Sequence, residues 1–266
     1  APPEPAASAT VYSSTARRFI ATTLTCLPAL SEPAVELSEP YGVAALLWSR
    51  LADHRPSDPE LRLLNSTLIL LADHDLARST VAVRVAARAG LDAGAIIRMG
   101  MDASGGVVKG VASLAIEAFL RNLATDENVE IALTRRLKQG EPVPGFGHPI
   151  HDHGDPRAAG ILEMLRETAS NQQRMSTVDA VIATQRSRGL PAPNAGFALA
   201  ALTYVMGMIP GSGETIFVMA RAIGWIAHAI EVLDAGPLER SSSMYIGNTP
   251  PSWRRSRPMH WPRPTR

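Results

Sequence analysis

The chain has a single cysteine, Cys26, in 266 residues. No internal disulfide can form, which fits a reducing compartment, with the cytoplasm as the default expectation. A charge imbalance is also missing: 26 basic residues face 25 acidic ones, for a net charge of +1. That balance removes the global field that would draw the chain onto nucleic acid or a membrane surface, so neither is expected as a partner. Long apolar runs are absent too. The longest low-charge stretch, Asn194 to Pro210, is too short to span a bilayer and is broken by glycines and a proline, so it reads as a buried helix. No secretory segment is visible. No stretch alternates with the period of a half-buried strand, and no internal repeat is found. Lysine is nearly absent, occurring only at Lys109 and Lys138, and the remaining basic residues are arginines.

What the chain does have is helical periodicity. Ser57-Asp58-Pro59-Glu60 has the form of a capping box with an early proline, and Leu61, Leu64, Leu68 and Leu71 follow at helical spacing. The segment 126–138 opens with acids and closes on Arg135, Arg136 and Lys138, which complements the helix dipole. It carries Val129, Leu133 and Leu137 on one stripe before Gly140 stops it. Similar patterns predict helices at 42–52, 77–89, 107–122, 156–170, 176–188, 195–208 and 214–233. The expected fold is all-α, in one large domain or two smaller ones, with enough chain to bury a substantial core. The clearest break is the loop at 139–156. From Pro250 onward the chain is rich in Pro, Arg and Trp without an acid, and this basic tail, 250–266, is expected to be disordered.

The 139–156 loop holds the most informative residues, Gly145-Phe146-Gly147-His148 followed by Asp155-Pro156-Arg157. Flanking glycines permit positive φ and close approach of a ligand. A histidine and an arginine together offer a hydrogen-bond donor and a bidentate carboxylate clamp. Alone, the stretch could also be a plain turn. His148, His151 and His153 invite a metal reading, but their close spacing and the lack of a clear fourth ligand argue against one, and no metal is expected. His74 could equally be a cap at a helix end. Arg221 lies in an otherwise apolar helix, where an unpaired charge is costly, and His228 on the helix of Trp225 reads as core or interface.

Four blocks carry a resemblance to the citrate synthase family, particularly its shorter bacterial members: LLADHDLARSTVAVRVAA from Leu70, GFGHPIHDHGDPRA from Gly145, GLPAPNAGF from Gly189, and ARAIGWIAHAIE with GPLERSSSMYIG between Ala220 and Gly247. The resemblance implies an all-α fold. A large domain would be formed by 1–107 and 198–249 and a small one by 108–197, around a cleft that closes on its ligand. Much of the N-terminal region of full-length members is missing from the chain. The resemblance also implies condensation of acetyl-CoA with oxaloacetate, or the related cleavage of citryl-CoA, with acyl-CoA as substrate and no other cofactor. By position, His148 matches the histidine that donates to the oxaloacetate carbonyl, and His74 a second histidine on oxaloacetate. Arg157 and Arg221 match carboxylate clamps. Arg240 matches the arginine that the partner subunit of a family dimer contributes, which implies a homodimer. Val143, Pro144, Gly145 and Gly147 match the CoA side.

Two positions depart from the family pattern. Lys109 stands where the enolising histidine is usual, and Gly196, in Pro193-Asn194-Ala195-Gly196-Phe197, where the aspartate base is usual. A lysine could stabilise an enolate electrostatically, but a glycine cannot take a proton. Asp152, in the segment after the active-site histidine, would repel a CoA phosphate. Three readings follow: a synthase of reduced or altered activity, a citryl-CoA lyase, and a non-catalytic di- or tricarboxylate-binding homologue or partner subunit of an active paralogue.

Overall fold

A computed structural model describes residues 9–105, 112–123, 128–151 and 154–233. Among them are eleven α-helices: α1 (Ala9–Cys26), α2 (Gly42–Leu51), α3 (Asp58–Ala72), α4 (Arg78–Arg88), α5 (Ala93–Ser104), α6 (Ala112–Leu123), α7 (Val129–Lys138), α8 (Pro156–Thr168), α9 (Gln172–Ser187), α10 (Ala195–Val205) and α11 (Ser212–Leu233). No strand occurs among the described residues, only an isolated antiparallel bridge between Phe146 and Pro193. The all-α expectation holds, and every helix read from periodicity is present, with shifted ends. α9 begins four residues before the expected start because Asn171 caps it, accepting from the Arg174 amide at 3.0 Å. α10 ends early, where Gly207 takes a positive φ of 69°. Two helices, α1 and α5, had no counterpart in the sequence reading. The basic tail and residues 106–111 lie outside the described residues.

Local chemistry explains the helix ends. The amide and hydroxyl of Ser57 both donate to Glu60 Oε2 at 2.8 Å at the start of α3. Asn128 caps α7, accepting from Glu130 and Ile131, and Asn194 caps α10 in the same way, accepting from Gly196 and Phe197. Gly140, with φ of 76°, ends α7 as its position predicts.

The core forms two clusters. One gathers Trp48, Leu64, Leu71, Leu120, Ile161 and Phe197, and includes all the apolar residues of α10 from Phe197 to Val205. The other packs Tyr12, Val83, Ile96 and Trp225 between α1, α4, α5 and the second half of α11. Each large apolar side chain so buried contributes roughly 1.5–3 kcal/mol. α11 joins the two clusters. By length and composition it could cross a membrane, but 56% of its most apolar window is buried inside the fold, and it carries a charged residue, Arg221, within that buried part. It is the central core helix, and its position against the end of α3 builds the site.

Candidate active site

The candidate site is assembled from three places: the loop after α3, the loop that ends at α8, and one face of α11. His74 lies just beyond the end of α3, next to Asp75, which adopts a left-handed backbone with φ of 50°. Asp155 caps α8, accepting from the Arg157 amide at 3.0 Å, and Pro156 occupies the first helical position. This cap aims the Arg157 side chain back across the loop. Arg157 Nε and Nη2 donate to the two Asp155 carboxylate oxygens at 2.9 and 3.1 Å, and Nη1 donates to the Asp73 carbonyl at 3.2 Å and to His74 Nδ1 at 2.7 Å. A guanidinium only donates, so His74 Nδ1 is the acceptor and the ring proton sits on Nε2. Four of the five Arg157 donors are thereby engaged within the protein.

Asp155 is the central anchor of this arrangement. Its side chain is fully buried and also accepts from the Ala195 amide at 3.1 Å, so it ties the start of α8 to the start of α10. Burial pushes its carboxyl up, but the hydrogen bonds and charge of Arg157, with the Ala195 amide, outweigh burial and hold it below the usual carboxylate range. The role of Asp155 as both cap and anchor emerges from the structure. The signal was present: an aspartate before proline, two residues before an arginine, is an N-cap that can also grip that arginine.

His148 sits in the glycine loop. Gly145 and Gly147 have φ of 85° and 84°. A Cβ at 145 would lie 2.8 Å from both Ile116 Cδ1 and Phe197 Cβ, so only glycine fits there. The loop is pinned by the segment before α10. Gly147 N donates to the Ala192 carbonyl, Asn194 N to the Gly145 carbonyl, and Asn194 Nδ2 to the Gly147 carbonyl, at 2.8, 2.9 and 3.0 Å. Val143 and Pro144 lead into it, with Val143 buried. His148 Nδ1 accepts from the Ile150 amide at 3.3 Å, which leaves the proton on Nε2, as in His74. The His74 and His148 rings are 6.4 Å apart, and His151 stacks on His148 at 4.6 Å.

Arg221 comes from the middle of α11 and is 0% exposed. Its Nη1 donates to the Ala72 carbonyl and its Nη2 to Thr80 Oγ1 at 2.9 Å, both neutral acceptors, and its Nε has no partner. Burial pushes it down to about 10, with the charge of Asp73 opposing and that of Arg157 assisting, so it stays cationic at neutral pH. One turn earlier on the same face, Phe217 meets the His74 ring edge-on at 5.6 Å. Its four-residue spacing from Arg221 places Phe217 on the same face of α11. Burial, then the charges of Arg157 and Arg221, lower the His74 pKa to about 4, so this imidazole is neutral. Burial also lowers that of His148, with Asp155 opposing and His151 and Arg157 assisting.

Of the residues expected in the site, His74, His148, Arg157 and Arg221 are thus gathered around His74. Lys109 and Arg240 lie outside the described residues, as do Asp152 and His153. His228 is neither plain core nor free surface, because its Nε2 is 3.5 Å from Asp73 Oδ1 and its Nδ1 3.0 Å from Glu231 Oε2. Gly196 occupies the first turn of α10. A Cβ there would lie 3.2 Å from Asn194 Oδ1 and 3.6 Å from Ile116 Cδ1, so a side chain has room with a small adjustment. Among the described residues no three His, Cys, Asp or Glu side chains group as a metal site. A separate groove of about 660 Å³ runs between α1 and α5, lined by Phe19, Ile97 and Met101 with Arg18 and Arg98, and contains none of the cleft residues.

Comparison with known proteins identifies the family and the fold. Citrate synthase 2 of Bacillus subtilis is 33% identical over 218 residues, which are 80% of this chain and 58% of that protein. A 2-methylcitrate synthase of Mycobacterium tuberculosis is 29% identical over 196 residues, 73% of this chain and 50% of that one. The chain therefore spans little more than half the length of these relatives. Among solved structures, citrate synthase from Thermotoga maritima superposes with a TM-score of 0.72 at 25% identity, covering 92% of this chain and 71% of that one. Citryl-CoA lyase from Hydrogenobacter thermophilus superposes with a TM-score of 0.68 at 24% identity, over 78% and 84% of the two chains, a likeness of fold alone. The model of the citrate synthase C-terminal domain matches residues 5–242, nearly the whole chain, and with it the protein belongs to the citrate synthase family.

Proposed function

We propose that this chain is a citrate synthase-type carbon-acyl transferase, which condenses an acyl-CoA, acetyl-CoA by resemblance, with oxaloacetate at reduced or altered activity. One observation carries the reading: Arg221 is a fully buried guanidinium held by two neutral acceptors, with its Nε unpartnered. A buried cation without a carboxylate in contact is costly unless an anion completes it. His74, neutral and carrying its proton on Nε2, supplies a donor beside it, and Arg157 keeps one donor free. This set of donors suits a dicarboxylate. His148, also protonated on Nε2, is the donor for the oxaloacetate carbonyl, whose oxygen becomes an alkoxide as carbon attacks. In this reading Lys109 stabilises the enolate, Val143, Pro144, Gly145 and Gly147 border the CoA, and the helical domains 1–107 with 198–249 and 108–197 close around the ligand. A homodimer contributing Arg240 across the interface goes with it. The exposed Val81 and Val85 on α4, 48% and 49% accessible, support such an interface. The place of action is the cytoplasm.

Calorimetric titration with oxaloacetate or citrate tests the anion site. Arg221→Met should weaken binding by about 2–4 kcal/mol, and an unchanged isotherm would refute the assignment.

A second reading rests on Gly196, which offers no side chain where the family usually has its base. The chain would then bind a di- or tricarboxylate without turnover, as a sensor or as the partner of an active paralogue, and thiol release from acetyl-CoA separates the two readings.

A further inference from the structure

The turn that presents His74 is held by one helix. Phe217, Arg221 and His228 follow the i, i+4, i+11 spacing that defines a single face of α11. They meet three successive residues. Arg221 Nη1 donates to the Ala72 carbonyl, His228 Nε2 lies 3.5 Å from Asp73 Oδ1, and the Phe217 ring meets His74 edge-on at 5.6 Å. Phe217 and Arg221 belong to the site described above, and His228 reaches it through Asp73.

Asp73 is the link. Its Oδ1 accepts from the Asp75 amide at 3.1 Å, and its carbonyl accepts from Arg157 Nη1, the same nitrogen that donates to His74 Nδ1. Asp75 holds a left-handed backbone with φ of 50°, which costs free energy in a residue with a Cβ and persists only where its surroundings enforce it. Burial pushes the Asp73 carboxyl up, but the Asp75 amide, His228 and the His74 amide outweigh burial and hold it below the usual carboxylate range. His228 is fixed on its other side as well. Its Nδ1 is 3.0 Å from Glu231 Oε2, and that oxygen also accepts from Arg84 Nη1 of α4 at 2.7 Å. A carboxylate thus stands at each ring nitrogen, and both are met by a donor only when both nitrogens carry a proton. The His228 side chain is 17% exposed and that of Asp73 is 75% exposed, so the histidine is the fixed partner and the aspartate the one it restrains.

We infer that His228 is a positioning residue of this site: from α11 it restrains the Asp73 carboxylate, and with it the 73–75 turn that sets the His74 ring against Arg157. Its effect on ligand binding rests on the carboxylate site proposed above, whereas its effect on the His74 ring does not. Without the His228 contact the exposed Asp73 carboxylate turns to solvent, the left-handed turn loses a restraint, and His74 Nδ1 separates from Arg157 Nη1. The ring then exchanges between its two neutral tautomers, and the Nε2 proton offered to an anion is no longer fixed.

The test uses the full chain, with nitrogen NMR of the His74 ring, citrate calorimetry and thermal unfolding measured on each variant at neutral pH. In the wild type, His74 Nδ1 should resonate as an unprotonated acceptor and Nε2 as a protonated nitrogen. His228→Asn keeps a donor for Glu231 and is too short to reach Asp73. It should move the two His74 nitrogens towards averaged resonances and weaken citrate binding by about tenfold. His228→Gln, whose longer amide can still donate to Asp73, should restore the wild-type pattern. Asp73→Ala should disturb His74 at least as much as His228→Asn, and the double variant no more than Asp73→Ala alone. Wild-type His74 resonances in His228→Asn, whatever its Tm, would make His228 a packing residue and overturn the inference, as would an exchanging His74 ring in the wild type itself. Additive losses in the double variant would also overturn it, because His228 would not act through Asp73. A wild type that binds no citrate removes the carboxylate reading, and the His74 resonances alone then decide the inference.

Discussion

Arg157 and Arg221 look alike in sequence, but the fold gives them different tasks. Arg157 is mostly spent on the protein, gripping buried Asp155 in a bidentate pair and fixing the His74 tautomer. Arg221 is the one whose buried Nε meets no acceptor. Arg157→Ala should therefore destabilise the fold as well as weaken ligand binding, because it strands a buried carboxylate; a loss of about 3–5 kcal/mol in denaturant unfolding is expected. Unfolding within about 1 kcal/mol of wild type would show that Asp155 does not depend on it. His74 gives a pH prediction. Its folded pKa of about 4 lies below the ordinary 6.5, so between those values the unfolded chain binds the proton that the native chain refuses. Stability from this group is present above about pH 6.5 and is lost as pH falls to about 4, by at most roughly 3 kcal/mol. Unfolding curves of wild type and His74→Gln across that range should diverge accordingly, and parallel curves would contradict the neutral imidazole.

At the scale of elements, the sequence was legible where capping and stripe patterns agree. α3 shows both, with Ser57 and Glu60 at its start and Leu61, Leu64 and Leu71 buried. α1 and α5 were not legible, for a physical reason. α1 carries Thr10, Thr15, Thr22, Thr23 and Thr25, and α5 carries Gly94 and Gly100, residues of weak intrinsic helix propensity. Tertiary contacts stabilise them instead. Tyr12 of α1 donates to the Leu91 carbonyl at 2.6 Å, and Gly100 lets α5 pack directly on the Trp225 ring. The crossing of α11 over the end of α3 likewise depends on one small residue. A Cβ at Gly224 would fall 1.9 Å from the Ala72 carbonyl oxygen, the acceptor of Arg221. Gly224→Ala should force the two elements apart, lower stability by about 1–3 kcal/mol and weaken citrate binding together. Wild-type melting and binding in this variant would show that the crossing has slack.

For the whole molecule, the gathering of His148, Arg157 and Arg221 around His74 could be read from motifs because each stands in a recognisable block. Asp155 and Phe217 carry local signals, but their partners, the Ala195 amide and the His74 ring, are set by contacts between distant elements that no local pattern encodes. Assembly belongs to this scale as well. If Val81 and Val85 of α4 line a dimer interface, Val85→Glu should shift sedimentation from dimer to monomer, and an unchanged profile would remove that face from the interface. The proposed activity is the joining of an acyl-CoA to oxaloacetate at this site. The most direct measurement is thiol release from acetyl-CoA by the purified chain at high concentration, with and without oxaloacetate, beside a His148→Ala control. A synthase should show oxaloacetate-dependent release above that control, whereas release equal to the control, with citrate still bound, would leave a carboxylate-binding protein without turnover.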